Sequence, residues 1–415
     1  VSGALRSINS ELEEMGEIQG AGKAMILRKI TLPLVLPAIL SAVILTFSKA
    51  IGTFGTINYL GSPVQYYTLS SQLYMNINSR DTQTGFAMAI LMIIIASIAV
   101  FVNQKLIGSR KSYATIGGKG GRSTLIGLGK VGRPVITAAL FVFFAVGIIM
   151  PIVILVMESF MLKEGIYSLD NFTLHYWIGE SNPQIMEGLP GIFKNDEFIN
   201  SLFNSLRLTL VNGVFGTIFG QLLGYITAKG RGRLHGKLVE QLVFIPYLIP
   251  SVAFGGIYLS MFSQPQQIFG VTLVPALYGT FALLTLVSVV KHLPFAARAG
   301  TSNMLQISGE LEEAATIEGA GFFRRFVKIV FPLSKGGFIS GFMLIFVSIM
   351  KELDLIILIM TPTTSTLPYL AFRYQNGNSP QASDCVAIVM FSIVFLVYAI
   401  ANLSGKADLA KSMAG

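Results

Sequence analysis

The chain has 415 residues, of which 53% are hydrophobic and only 12% are charged, and its mean hydropathy is +0.66. Soluble domains carry about 25% charged residues. The composition therefore indicates a polytopic membrane protein and argues against a nucleic-acid-binding protein, although the net charge is +9. A lone cysteine, Cys385, excludes a disulfide framework, and three histidines in separate segments lack the spacing of metal ligands.

The chain begins inside the first copy of an internal repeat. Residues 307–346 (the second repeat) match residues 8–47 (the first repeat) without a gap, with roughly 16 of about 40 positions identical. Each copy runs from an acidic segment through glycines and basic residues into an apolar span. From the repeat period we expect at least ~170 further residues, with about four spans, before Val1. The first half of the bundle is then incomplete.

Eight apolar runs are long enough to cross a membrane. We predict spans at residues 37–59, 86–106, 135–157, 202–228, 238–262, 275–290, 338–360 and 386–403. Residues 108–134 and 229–237 are basic and acid-free, which is typical of cytoplasmic loops, whereas residues 158–197 are strongly acidic. This asymmetry predicts that both repeats and the tail are cytoplasmic. We expect Lys291 and His292 at the interfacial end of the sixth span.

A Gly-rich basic linker, residues 108–133, separates residues 1–107 from residues 134–415. It contains a G-x-G-x-x-G spacing, but it has neither the preceding strand nor the following helix of a dinucleotide site. Walker A spacing is also missing. We therefore interpret the segment as a flexible linker and expect the chain itself to bind no cofactor and to hydrolyse no ATP.

The second repeat predicts two short helices joined by a turn. Ser308 is a suitable N-cap, Gly319 permits a sharp turn, and Pro332 suits the first turn of the next span. The first helix carries an acidic cluster and the second a basic one: Glu310, Glu312, Glu313, Arg324, Arg325 and Lys328. Such a pair could simply lie at the lipid interface. Acidic clusters suit anionic lipid poorly, however, and favour a docking surface for a protein partner.

The second repeat, EEAATIEGAGFFRRFVKIVFP, closely resembles the EAA loop of ABC-importer permeases. The matching positions are Glu313, Ala314, Ala315, Gly319, Ile329 and Pro332. The first repeat keeps Glu14, Gly20, Ile30, Leu32 and Pro33 but reads Met15-Gly16 in place of Ala-Ala. Two such loops in one chain resemble the fused permeases of the iron(III)-type branch, whose relatives handle phosphonates, thiamine, polyamines and sulfate.

The resemblance implies an all-α, polytopic helical bundle of the type I ABC importer transmembrane fold. It also implies partners: an ATPase dimer at the cytoplasmic face, which uses the ATP, and an external solute-binding protein. The solute would be iron(III) or a small solute of the related systems, and the location the cytoplasmic membrane of a bacterium. The ATPase-coupling role falls on Glu11, Glu14 and Gly20 in the first repeat and on Glu310, Glu313, Ala314, Ala315 and Gly319 in the second.

Charged residues within the predicted spans raise a second hypothesis. Lys351 and Glu352 lie in the seventh span, and Lys49 lies in the first. Intramembrane charges are costly and often functional. They could line a pathway or form a structural pair, and in an ion-coupled secondary transporter they could carry the coupling ion. A membrane-embedded enzyme is disfavoured, because no cluster of catalytic side chains gathers at one depth.

Overall fold

The computed structural model describes residue 5, residue 8 and residues 10–108, 129–305 and 307–403. Most of the predicted linker and the tail from residue 404 lie outside the described residues. The predicted all-α class is confirmed, because the described strands form only one antiparallel hairpin, β1 (Gln266–Ile268) with β2 (Val271–Val274). Backbone contacts divide the chain into two compact units, residues 1–51 with 94–152 and residues 52–93 with 153–413.

The helices of the first part of the chain include two π turns, Leu27–Thr31 before α3 and Ala145–Ile149 between α7 and α8. In chain order they are α1 (Ser10–Ile18), α2 (Lys23–Ile26), α3 (Leu32–Gly52), α4 (Gly55–Gly61), α5 (Leu69–Asn78), α6 (Thr82–Gly108), α7 (Gly129–Phe144) and α8 (Met150–Glu158).

The rest of the chain supplies the helices that pack most closely. They are α9 (His175–Ile178), α10 (Asp196–Lys229), α11 (Leu234–Leu248), α12 (Ser251–Phe262), α13 (Phe281–Met304), α14 (Gly309–Ile317), α15 (Phe322–Arg325), α16 (Phe331–Leu333), α17 (Lys335–Met350), α18 (Leu367–Asn376) and α19 (Pro380–Leu403). A third π turn, Phe326–Val330, joins α15 to α16.

Helix α10 packs against both α13 and α17 in the second unit. Its start is fixed by Asn195, whose side chain accepts a hydrogen bond from the Glu197 amide at 2.9 Å. Glycines let it approach α13 closely: Gly220 faces Ala296 and Gly224 faces Gly300, so the two helices run parallel. Small residues at such positions are how helices associate in lipid, where apolar burial gives little driving force.

Two clusters of buried apolar side chains form the core of the second unit. One joins α10, α12, α13 and α17 with the segment after α17: Leu208, Phe254, Phe262, Leu283, Leu284, Val287, Ala296, Ile345, Ile349, Leu355, Ile356, Ile359 and Met360. The other joins the segment 159–195 to α18 and α19: Tyr176, Met186, Ile192, Phe198, Leu367, Leu370, Ala371, Tyr374, Ala382, Cys385 and Val386.

Aromatic side chains pack together within the segment 159–195. Trp177 stacks on Phe160 with ring centroids 5.6 Å apart and meets Phe193 at 5.7 Å, so this tryptophan belongs to the core of the loop. Lys194 Nζ lies 2.5 Å from Glu180 Oε1, and this ammonium lowers the pKa of that carboxyl. The acidic composition of the segment is therefore compatible with a defined fold.

The predicted spans are broken more often than the sequence indicates. Five described helices are long and apolar enough to cross a membrane, and seven segments qualify if two bent pairs count as one span each. Helices α11 and α12 meet at 98°, and the segment Phe322–Leu333 meets α17 at 76°. The predicted first span, residues 37–59, is interrupted between the end of α3 and the start of α4.

Two predicted spans have the wrong bounds. The sixth, 275–290, begins in the turn after the hairpin, and α13 instead runs from Phe281 to Met304. Lys291 and His292 therefore lie at the middle of a spanning helix and are buried, so the predicted interfacial position is wrong. The seventh, 338–360, stops being helical at Met350, and residues 355–360 are buried without regular structure.

The close approach of α10 and α13 yields a prediction. In Gly224→Ala the new methyl group would lie 2.5 Å from the Gly300 carbonyl carbon and the Thr301 nitrogen. The helices must separate, and overpacking of this kind costs about 1–3 kcal/mol. We expect a lower midpoint of thermal unfolding for the detergent-solubilised protein.

The matched control is Gly336→Ala at the start of α17, where a methyl group meets nothing within 4 Å. It should leave the midpoint unchanged or raise it slightly, since alanine favours helix. Equal midpoints for the two variants would contradict the packing described here.

Candidate coupling elements and intramembrane charge cluster

The second repeat folds as the predicted pair of short helices. Ser308 accepts a hydrogen bond from the Glu310 amide at 3.3 Å and so caps α14. Gly319 then adopts φ +77°, a left-handed conformation that favours glycine. Gly321 has an extended backbone, and α15 begins at the next residue. The turn predicted at Gly319 is therefore present, and its backbone conformation favours glycine at this position.

The first repeat has the same local structure. Helix α1 ends before Gly20, whose φ is +81°, and α2 follows Gly22. The two repeats differ in how they join the next span. In the first, the π turn runs directly into the 21 residues of α3, whereas in the second a break at Ser334 follows the three-residue α16.

The acidic cluster of each repeat is divided between solvent and protein. Glu310 and Glu313 are exposed, but Glu312 is only 8% exposed. Its counterpart Glu13 is half-buried and accepts a hydrogen bond from the Thr31 hydroxyl at 2.6 Å. Sequence reasoning grouped these glutamates together. Glu11 and Glu14 of the first repeat are exposed, like Glu310 and Glu313.

The Met15-Gly16 departure from the motif has a packing reason. A methyl group on Gly16 would lie 3.0 Å from Ile30 Cδ1 and 3.2 Å from Ile26 Cγ1. In the second repeat, Ala315 stands at this position, and the residue equivalent to Ile26 is Arg325. Gly16 thus leaves room for the apolar side chains of Ile26 and Ile30 on the following segment.

Both helix pairs present an apolar tip. Ile18 is 84% exposed and Ile317, at the same position of the other repeat, is 86% exposed. Phe323 lies just beyond the second turn and is also exposed. The same position is therefore an exposed apolar side chain in both repeats.

The structure separates the residues of the predicted intramembrane pair. Lys351 is exposed, and Glu352 turns instead to His292, with Glu352 Oε2 3.4 Å from His292 Nε2. The other carboxylate oxygen of Glu352 accepts a hydrogen bond from the Leu355 amide at 3.0 Å. Lys49 is exposed near the end of α3. Sequence reasoning missed His292 because it expected that residue at an interface.

Lys291 supports the break between α11 and α12. Its ammonium donates hydrogen bonds to the Pro246 carbonyl at 2.9 Å and to the Ile249 carbonyl. In a continuous helix the Pro246 carbonyl would accept from residue 250, but Pro250 has no N–H. The buried ammonium therefore supplies the donor that the backbone lacks.

A second break is held in the same way. The Asp354 carboxylate accepts a hydrogen bond from the Gly55 amide, at the start of α4, at 2.8 Å. The Ser70 hydroxyl donates to the Thr53 carbonyl at 2.7 Å. The breaks touch one another: a methyl group on Gly52 would lie 2.8 Å from the Ser251 nitrogen. In the described part of the chain no three His, Cys, Asp or Glu side chains could hold a metal ion.

Comparison with known proteins gives one family match. The family model described as "binding-protein-dependent transport system inner membrane component" matches residues 1–113 and 220–407. The chain is 22% identical over 423 residues to the ferric transport system permease protein FbpB of Actinobacillus pleuropneumoniae. This alignment covers 100% of the chain and 57% of the relative, so the chain spans little more than half of that protein's length.

Two further likenesses concern part of the chain. The molybdate/tungstate transport system permease protein WtpB of Thermococcus kodakarensis is 28% identical over 203 residues, which is 49% of this chain and 76% of that relative. The crystal structure of a bacterial ABC transporter involved in the import of the polysaccharide alginate matches with a TM-score of 0.51 and 16% identity. It covers 65% of this chain and 94% of the solved chain, and at this identity it shows a shared fold.

The hydrogen bonds donated by Lys291 yield a stability prediction. Lys291→Met removes the ammonium and leaves the carbonyls of Pro246 and Ile249 without that donor in a region that excludes water. Leaving a buried acceptor unpaired costs about 1–3 kcal/mol. The fraction of protein that stays monodisperse in size-exclusion chromatography after heating should fall relative to wild type.

Lys335→Met is the control, because Lys335 is exposed at the start of α17. It also removes one lysine charge, and its loss of monodisperse protein on heating should equal that of wild type. If Lys291→Met were as stable as Lys335→Met, the ammonium would not be what holds the break.

Proposed function

The chain belongs to the family of binding-protein-dependent transport system inner membrane components, and we propose that it is the transmembrane subunit of an ABC importer. The observation that carries the proposal is the duplicated helix pair with an exposed apolar tip at Ile18 and Ile317. A transporter driven by a separate ATPase dimer needs two equivalent docking surfaces outside the bilayer. A secondary transporter has no ATPase partner and needs no such docking surfaces.

The mechanism follows from the rigidity of these elements. Each short helix sits in a groove of one ATPase subunit, with its exposed glutamates at the positive helix end and its isoleucine at the tip. ATP binding closes the ATPase dimer, and the helices move with it. Packed helices transmit such displacements because protein interiors compress little. The spans then open outward, and solute enters from an external binding protein.

ATP hydrolysis belongs to the partner in this proposal. The relatives matched by the chain are called permease proteins, and the chain's own part is to bind the ATPase and form the pathway. Both repeats and the C-terminal tail lie in the cytoplasm of a bacterium, and the outer segment 159–195 faces the binding protein. The positive-inside pattern of the basic loops supports this orientation.

Iron(III) is the solute that the comparisons favour. The ferric permease relative aligns along the entire chain, whereas the molybdate/tungstate relative aligns with about half of it. An oxyanion or another small solute, such as a phosphonate, thiamine or a polyamine, is the alternative within the same class. The alternative class is an ion-coupled secondary transporter, for which the buried His292–Glu352 pair is the supporting observation.

Transport by the complex isolated from native membranes tests the proposal. We expect an ATPase subunit to copurify. Vesicles that carry the complex and its binding protein should accumulate iron(III) when ATP is supplied on the side of the membrane that the ATPase subunit faces. Vesicles with a proton or sodium gradient but no ATP should accumulate none. Uptake driven by the gradient alone would establish the secondary transporter instead, and ATP-driven uptake of molybdate but not iron would correct the solute.

Variants of the turn test the coupling role. Gly319→Pro cannot adopt φ +77°, and Glu313→Lys replaces an exposed carboxylate of α14 with a cation and so reverses the docking charge. Both should abolish uptake while the protein remains folded, as judged by its chromatographic profile. The corresponding changes at Gly20 and Glu14 should have smaller effects, since the first repeat departs from the motif. Full solute-stimulated ATPase activity and uptake in the second-repeat variants would refute the coupling assignment.

A further inference from the structure

We infer that Glu312 is a positioning residue that fastens the second repeat to helix α10, so that movement of the docking helix becomes movement of a span. This inference rests on the proposed function, but the contacts that carry it are independent of any partner. Glu312 is the buried member of the acidic cluster and points away from the docking face. Its carboxylate meets the last turns of α10.

One oxygen of the carboxylate is bound by a tyrosine. The Tyr225 hydroxyl donates a hydrogen bond to Glu312 Oε2 at 2.6 Å. The same tyrosine ring packs edge-on against Phe322 at 5.7 Å and against Phe326 at 5.8 Å between centroids. Tyr225 therefore contacts both arms of the helix pair, α14 through its hydroxyl and the second arm through its ring.

The other oxygen is bound by a lysine one helical turn further along. Lys229 Nζ lies 2.6 Å from Glu312 Oε1, and the lysine side chain is 35% exposed against 11% for the glutamate. Hydrogen bonds to an ionised carboxylate are shorter and about twice as strong as neutral ones. The hydrogen bond from Tyr225 and the ion pair with Lys229 together fix the position of α14 relative to α10.

Helix α10 can carry the displacement onward. Along its length Gly220 and Gly224 meet the backbone of α13, and Gly216 meets the side chain of Ile345 in α17. These approaches leave no room for independent sliding. A pull on Glu312 thus reaches α13 and α17 through one closely packed helix.

Glu13 occupies the equivalent position of the first repeat. Glu13 accepts its hydrogen bond from Thr31, which belongs to the first repeat itself. That bond closes the helix pair on itself, whereas the Glu312 bonds join the pair to a helix outside the repeat.

The test separates coupling from simple stability by measuring solute molecules taken up per ATP hydrolysed. Glu312→Gln keeps an acceptor but loses the ion pair with Lys229, and Tyr225→Phe keeps the ring contacts but loses the hydroxyl. Both should lower the ratio roughly fivefold or more while ATP hydrolysis continues. Lys229→Arg should retain the ratio. The controls Glu240→Gln and Tyr398→Phe change exposed side chains and should equal wild type.

A distance measurement tests the fastening without transport. Spin labels at the exposed positions Ile317 and Leu210 should give one narrow distance distribution by electron paramagnetic resonance, broadened in Glu312→Gln and Tyr225→Phe. An unchanged distribution, or uptake and hydrolysis that fall in proportion, would overturn the inference. If wild type showed no ATP-driven uptake but the variants broadened the distribution, the proposed function would fail while the fastening role remained.

Discussion

A broken helix in lipid must find hydrogen-bond partners for its freed backbone groups within the protein, and this requirement organises the second unit. Lys291 serves the carbonyls left by Pro250, Asp354 serves the amide that starts α4, and Ser70 serves the carbonyl of Thr53. Charged side chains therefore lie between the helices where the backbone needs a hydrogen-bond partner. Their cost in lipid is offset by the larger cost of unpaired peptide groups.

Because the breaks are stacked, the fold around them depends on very small residues. Gly52 allows one break to touch another, and Gly255 brings α12 against the Leu355 carbonyl. The irregular backbone after α17 can then be buried against α12. A break that is held by side chains from other helices is also a place where two rigid segments meet, which suits a bundle that must change shape.

The second repeat is also held by side chains from outside itself. The segment Phe322–Leu333 meets α17 at a bend of 76°. Glu312, Tyr225 and Lys229 tie the repeat to α10, whose glycines pass closely along α13. The exposed tip at Ile317 is then the part left for a partner.

The sequence by itself determined whatever depends on neighbours within a few residues. The apolar runs gave the membrane class, the aligned Gly20 and Gly319 gave two left-handed turns, and Ser308 gave a cap that the structure contains. The tertiary structure alone decided where spans break, that His292 pairs with Glu352, and that Glu312 faces inward. Those outcomes depend on partners tens of residues away, and an isolated charge in an apolar run does not reveal which distant backbone group or side chain it will satisfy.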